Sequence, residues 1–256
     1  MLIHWLTTTT TSTSRRSSSE RARVNDPLVQ FGVGVGVVRA WVTDRTDASI
    51  HPERIDPTVL RARQNSVAGG DWSMIDQVHG VDVVHVDGTE PWAPTQGRGD
   101  VLVTAAHSVR LAVWAGDCAP IVLAADDGTL VAAHAGWRGL AAGVVDVAVE
   151  QATMRGGDVV VAMLGPVIHP CCYEFGADDL SEVAAGLRTD ESTLSATTSD
   201  GHPALDVPAG VAGALRRHGI ELDLVGPCTG CDERWFSHRV RNDDGRHAFV
   251  VERVAA

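Results

Sequence analysis

Four apolar runs follow one another closely in the middle of this chain: DVLVTAA (100–106), VRLAVWA (109–115), PIVLAA (120–125) and TLVAAHA (129–135). Each has the length of a strand and is bounded by turn residues. They do not alternate apolar with polar. Continuous apolar strands predict sheets covered on both faces, so other layers must lie above and below. The flanking segments supply candidates. VQFGVGVGVVRAWVTD (29–44) is β-branched and alternating, as in a strand or hairpin. Residues 53–68 carry a helical pattern with Val59, Leu60 and Val67 near one face. A short strand is expected at VDVVHVDG (81–88). After His134, GLAAGVVDVAVEQATMRGG predicts one helix of about 15 residues, stopped by Gly156–Gly157. DVVVAMLGP (158–166) reads as a further buried strand and ADDLSEVAAGLR (177–188) as a helix with an acidic first turn. A helix opened by Pro208 and closed by Gly219 lies within 202–220, and ELDLVGP and HAFVVERV supply late strands. Strands and helices interleave without a linker or repeat. The expectation is one α/β domain over 29–256, with β-sheets flanked by helices.

Residues 1 to about 28 differ. TTTTTSTSRRSSSERAR has almost no apolar side chain to offset its ordering entropy and is expected to be a disordered tail. GVGVGV (32–37) is not a dinucleotide loop, because G-x-G-x-G lacks the G-x-G-x-x-G spacing and no helix pattern follows.

Charge narrows the partners. With 21 Lys+Arg against 33 Asp+Glu, the formal charge is -12. An acidic surface repels the phosphate backbone, which argues against nucleic-acid binding. No apolar run approaches the roughly 20 residues that span a bilayer, and MLIHWL is too short for a signal-peptide core. The cytoplasm is the expected location, and a monomer or homodimer the expected state. The five cysteines, Cys118, Cys171, Cys172, Cys228 and Cys231, are odd in number. They suit metal or thiol chemistry in a reducing compartment better than a disulfide framework.

Three motifs at strand ends carry the candidate chemistry: DQVHG (76–80), AGDCAPI (115–121) and AAHAGWRGLAAG (132–143). His79, Cys118 and His134 stand beside small residues in them. A His–Cys–His trio is one ligand short of a closed zinc site, so it leaves a position for water or substrate and reads as catalytic. Each residue alone has a plainer reading: a surface histidine, a small buried thiol, a capped core histidine. Only the fold can bring them together. Asp117 either orients an imidazole from behind or caps the following turn. Arg138, four residues after His134, is suited to phosphate or carboxylate; its plainer alternative is a surface arginine packed on Trp137.

In GPVIHPCCYEFG (165–176), His169, Cys171, Cys172, Tyr173 and Glu174 are candidates to line a cleft. If the segment is extended, Cys171 and Cys172 point apart and at most one faces the site. PCTGC (227–231) is a lone CxxC, too weak a signal for zinc without a second pair. It lies too far from His51-Pro52-Glu53 for a nucleobase-deaminase signature. WFSHRVRNDDGRHA (235–248) offers Arg239, Arg241 and Arg246 as a basic rim for a phosphate-bearing ligand, or as solvated turns.

Taken in order, QVHG, DVLVT, GDCAPI, AAHAGWRGLAAGV, LGP-x-I-x-PCCYEFG, CTGC and FSHR…GR resemble the YfiH/laccase-domain family, also called the multicopper polyphenol oxidase domain or peptidoglycan editing factor family. The resemblance runs from Gln77 to Arg246. It implies a YfiH-like layered sandwich in a single α/β domain, and a metal held by His79, Cys118 and His134. It also implies activity on a small-molecule substrate: phosphorolysis of purine nucleosides (adenosine, inosine, guanosine, methylthioadenosine) with adenosine deamination. The cofactor expected is zinc, with copper an alternative. Tyr173, Glu174 and Arg239 are the expected substrate contacts, and Asp117 and Arg138 join the metal trio as expected catalytic residues. Three rivals remain: a copper-dependent polyphenol oxidase, a cysteine hydrolase editing peptidoglycan precursors, and a non-catalytic nucleotide-binding protein.

Overall fold

The computed structural model describes residues 27–255. The expected disordered tail lies, apart from Pro27 and Leu28, outside them.

The chain opens with a hairpin, β1 (Val29–Val33) and β2 (Gly36–Val42), and then α1 (Pro57–Val67). Asp56 caps α1 by accepting the amides of Thr58 and Val59, and Pro57 suits its first turn. Short strands β3 (Trp72–Ser73) and β4 (Val83–His85) lead to β5 (Val101–Thr104), β6 (Arg110–Ala115), β7 (Ala119–Ala125) and β8 (Leu130–Ala135). These last four are the apolar runs noted above. Helices α2 (Trp137–Ala142) and α3 (Val144–Thr153) follow, then β9 (Val159–Leu164) and α4 (Ala177–Gly186). The single helix expected after His134 is therefore two. Gly143 sits at φ 88°, a left-handed conformation that ends α2 and re-aims the chain into α3. The remaining elements are α5 (Glu191–Leu194), β10 (Ser195–Thr197), β11 (Pro203–Leu205), α6 (Val207–Arg217), β12 (Leu224–Val225), α7 (His238–Arg241) and β13 (His247–Val254).

Two mixed sheets face each other. One has the order β1-β2-β13-β6-β3; the other has the order β12-β9-β7-β8-β5-β4. The β10-β11 hairpin stands apart. Between the sheets lies an apolar layer in which Leu111, Val113, Phe249 and Val251 of the first meet Leu102, Val122, Leu130 and Met163 of the second. The alternate residues of the same strands point the other way. Val101, Val103, Ile121 and Leu123 pack under the helical layer with Leu140, Val144 and Val211. On the far side of the first sheet, Trp41, Ala112 and Val250 join Leu60 of α1 and Trp72. The order is thus helix, sheet, sheet, helices, the layered sandwich of sheets and helices expected. The absence of alternation in β5, β7 and β8 has this cause: both faces of their sheet are covered. Each Leu, Ile or Phe so buried contributes roughly 1.5–3 kcal/mol.

Among the described residues no helix is long and apolar enough to cross a membrane.

Candidate functional site

The site forms where the second sheet presents the ends of β5, β7 and β8 to the loop before β4. Its foundation is Asp100, fully buried just ahead of β5. One carboxylate oxygen accepts the amides of Gly80 (2.7 Å) and Val78 (3.3 Å). The other accepts the amide of His79 at 3.0 Å and lies 2.8 Å from His134 Nδ1. One carboxylate therefore shapes the loop carrying His79 and orients the ring of His134. His79 itself adopts φ 61°. That left-handed conformation is uncommon for a side chain with a Cβ, and the three amides on Asp100 hold it there.

Cys118 immediately precedes β7, and His134 sits opposite Pro120 in the β7–β8 register. The Cys118 Sγ is 3.7 Å from His79 Nε2. The two imidazoles meet edge to face at 4.9 Å. One ligating atom from each of His79, Cys118 and His134 lies within 4.8 Å of the others. With Nδ1 of His134 held by Asp100, its Nε2 is left for the site. Gly136 makes this closeness feasible: a Cβ there would overlap the His79 ring and stand 3.3 Å from Cys118 Sγ. The donor set fits a metal with one position open. Its chemistry suits zinc or copper alike.

Charges inside the trio are strongly coupled. Burial alone would raise the Cys118 thiol, but the charge and hydrogen bond of His134, with help from His79, outweigh it and bring the pKa down to about 6. Burial alone would lower His134, yet the Cys118 thiolate and the Asp100 carboxylate raise it to about 9. For Asp100 too, burial opposes ionisation, and the bonds from His134 and the Gly80 and His79 amides leave it below the usual carboxylate value. Both shifts favour the thiolate–imidazolium form of the pair.

The trio opens into a cavity of about 90 Å³, walled by Asp117, Arg138, Ile168 and Tyr173 among others. That is room for several waters. Arg138 lies on its exposed rim with its guanidinium 4.2 Å above the Trp137 ring. Tyr173 is buried, and its phenol is pushed up to about 12, chiefly by that burial. The Arg239 guanidinium covers its ring at 4.9 Å.

Other expectations are corrected. Asp117 orients no imidazole: its carboxylate accepts Thr229 Oγ1 and the Arg239 amide, both at 2.6 Å. It ties the β6–β7 turn to the late loops, and Asp100 has the orienting role. Glu174 is exposed, pairs through its backbone with Ala204 and does not line the cavity. Arg241 and Arg246 do not form a basic rim. Arg241 donates to the carbonyls of Thr229, Gly230 and Trp235, and Arg246 to those of Asp243 and Gly245. Cys171 and Cys172 do not point apart. The segment is a tight 3-10 turn, not a strand, and both thiols turn toward Cys228 and Cys231. The lone CxxC thus has its second pair.

A protein-family model described as multi-copper polyphenol oxidoreductase laccase matches residues 51–253. The chain belongs to this family. Among curated members, a purine nucleoside phosphorylase of Streptomyces coelicolor is 41% identical over 182 residues, 69% of this chain and 73% of that one. A purine nucleoside phosphorylase of Mycobacterium bovis is 36% identical over 206 residues, covering 77% and 80%. One of Pseudomonas aeruginosa is 34% identical, covering 70% and 73%. The fold is shared with the crystal structure of YlmD from Geobacillus stearothermophilus: TM-score 0.69, 25% identity, 90% of this chain and all of that one. It is also shared with the hypothetical protein YfiH of Bacillus licheniformis, at TM-score 0.73 and 22% identity, covering 86% and 97%. All seven motifs from QVHG to FSHR…GR lie inside the matched span.

Proposed function

We propose that the protein is a metal-dependent purine nucleoside phosphorylase, acting on adenosine, inosine, guanosine and methylthioadenosine, that also deaminates adenosine. The observation that carries this reading is the convergence of His79, Cys118 and His134 on a cavity rimmed by Arg138, in a chain whose relatives at 34–41% identity are named purine nucleoside phosphorylases. His79, Cys118 and His134 would hold the metal, zinc in the first instance and copper as the alternative. When bound, the metal supplies Lewis acidity at the reacting centre.

The chain's own groups do the rest. In phosphorolysis a phosphate oxygen bonds to C1′ of the ribose while the bond to the purine nitrogen breaks, and the base leaves with that electron pair. Arg138 holds the phosphate; its fork of N–H donors matches a tetrahedral anion. The Trp137 ring beneath keeps the guanidinium oriented. Arg239 covers the Tyr173 ring and contributes positive charge to the same wall. Tyr173, kept protonated by its raised pKa, donates a hydrogen bond to substrate. Asp117 positions Arg239 through its backbone amide.

One observation favours a second reading. Cys118, His134 and Asp100 have the order of a cysteine hydrolase: a thiol lowered to about 6, an imidazole, and a carboxylate behind it. A single experiment separates the two. Metal content is measured on protein purified without added metal, and adenosine, inosine and methylthioadenosine are screened in phosphate buffer. The phosphorylase reading expects about one catalytic metal per chain, release of free base that depends on phosphate, and loss of both that catalytic metal and turnover in Cys118→Ala. Full turnover in Cys118→Ala lacking the catalytic metal refutes it. Turnover of the metal-free wild type with covalent labelling of Cys118 moves the assignment to the hydrolase.

A further inference from the structure

The reaction above makes no use of Cys171, Cys172, Cys228 and Cys231. They come from two distant segments, yet their sulfurs form one group within 4.8 Å. Cys171 Sγ is 3.2 Å from that of Cys231 and 3.5 Å from that of Cys228; Cys172 Sγ is 3.4 Å from that of Cys231. None of these is a disulfide, which needs about 2.05 Å. All four cysteines are free. In a tetrahedral zinc tetrathiolate, zinc–sulfur bonds of about 2.3 Å set the sulfurs about 3.8 Å apart. The cluster is close to that shape.

The backbone around it is built for the same purpose. The Pro170–Cys172 turn is what lets two neighbouring cysteines present their thiols on one side. Gly230, between the cysteines of CTGC, lies so near Cys172 that a Cβ there would stand 2.7 Å from its Cβ and 2.8 Å from its Sγ. Only glycine lets that turn close over the thiol. The amide of His169 points at Cys228 Sγ from 3.4 Å. An N–H directed at sulfur stabilises a thiolate. Arg241 grips the carbonyls of Thr229 and Gly230 and so brings a fixed positive charge beside the cluster.

We propose that Cys171, Cys172, Cys228 and Cys231 bind one zinc ion as a closed tetrathiolate, separate from the His79–Cys118–His134 site. Binding releases four thiol protons to solvent, leaves the zinc complex with a charge of minus two, and changes no oxidation state. Four protein ligands leave no open position, so the ion is structural. It clamps the loop that carries the cavity residues Ile168 and Tyr173 to the loop that supports Asp117 from behind. Tyr173 immediately follows the first cysteine pair. Thr229, between the second pair, donates to Asp117, which in turn holds the Arg239 amide. The inference is independent of the reaction assigned to the cavity.

The test uses the full chain purified under reducing conditions without added metal. Elemental analysis is expected to find about two metal ions per chain in the wild type and about one zinc in Cys118→Ala. Cys118→Ala loaded with cobalt(II) should show the intense visible absorption of a tetrahedral tetrathiolate. Cys228→Ser/Cys231→Ser should lose that zinc and that absorption while His79, Cys118 and His134 retain theirs. If the double variant does not fold, the two measurements on Cys118→Ala decide alone. Cys118→Ala without metal and without cobalt–thiolate absorption overturns the proposal. So does iron in place of zinc, or peptide mapping that finds these cysteines joined in disulfides.

Discussion

Replacing Asp100 with asparagine tests the centre of the argument, because so much converges on that carboxylate. Four donors share its two oxygens: the amides of Val78, His79 and Gly80, and Nδ1–H of His134. Asparagine keeps the shape but offers one oxygen and an NH₂ group, itself a donor. Whichever way it turns, one pair of donors meets the NH₂ group in a fully buried place. A hydrogen bond to a charged acceptor contributes roughly 1.5–3 kcal/mol, so two lost bonds cost about 3–6 kcal/mol before relaxation. At about 2–4 °C per kcal/mol for a chain of this class, 3 kcal/mol lowers the melting temperature by about 6–12 °C. Metal affinity should also fall, since loss of the group behind a ligating histidine typically costs 10–100-fold. The assay is chelator competition over a pH series, with thermal melts of loaded and metal-free protein. In the wild type, metal must displace the proton that His134 holds up to about pH 9. Affinity should therefore rise about tenfold per pH unit between about 7 and 9 and then level off. In Asp100→Asn the His134 proton is held less tightly, so the levelling comes at lower pH. A variant that binds metal within threefold of the wild type, and melts within about 2 °C of it, would refute the role assigned to Asp100.

Gly136→Ala places a Cβ into the His79 ring and 3.3 Å from Cys118 Sγ. Metal affinity should drop at least about tenfold while circular dichroism stays that of a folded chain; unchanged metal content would show that the trio has more slack than its distances suggest. Arg138→Ala should raise the KM for phosphate about tenfold or more with metal content unchanged, and Arg138→Lys should recover only part of it. A normal phosphate KM in both would remove Arg138 from the anion site. The metal-free protein should be stabilised by its thiolate–imidazolium pair mainly between about pH 6 and 9. The folded pKa of His134 is raised above 6.5, so its contribution is complete below 6.5 and is lost as pH rises through about 9. That of Cys118 is lowered below 9, so its contribution is present above 9 and is lost as pH falls through about 6. Subtracting the melting profile of Cys118→Ser should leave a difference that is widest inside that window; a difference flat from pH 5 to 10 would contradict the pair.

What the sequence disclosed and what it hid follow one physical rule. Side chains whose role is set by their own strand or turn were legible. Leu102, Val122 and Val113 announce a buried sheet by type alone, and His79, Cys118 and His134 stand out because reactive residues interrupt apolar runs at strand ends. Roles set by a distant partner were hidden. Asp100 opens the DVLVT run as an ordinary strand-edge carboxylate; only the fold carries the 78–80 loop and His134 onto it. The same holds for Asp117, whose partners are Thr229 and Arg239, more than a hundred residues along the chain. The four-cysteine group shows the rule most clearly. A CxxC without a second pair carries little information, and the vicinal Cys171–Cys172 looks self-defeating if extended. What reverses both judgments is a Pro-initiated turn and a parallel pairing of Val167 with Cys228, neither of which leaves a period in the sequence. The one local trace was Gly230: a glycine inside a CxxC marks a backbone that must pass close to something, and here that something is Cys172. Sites assembled from loops are thus better sought by asking which small residues must admit a neighbour than by ligand spacing alone.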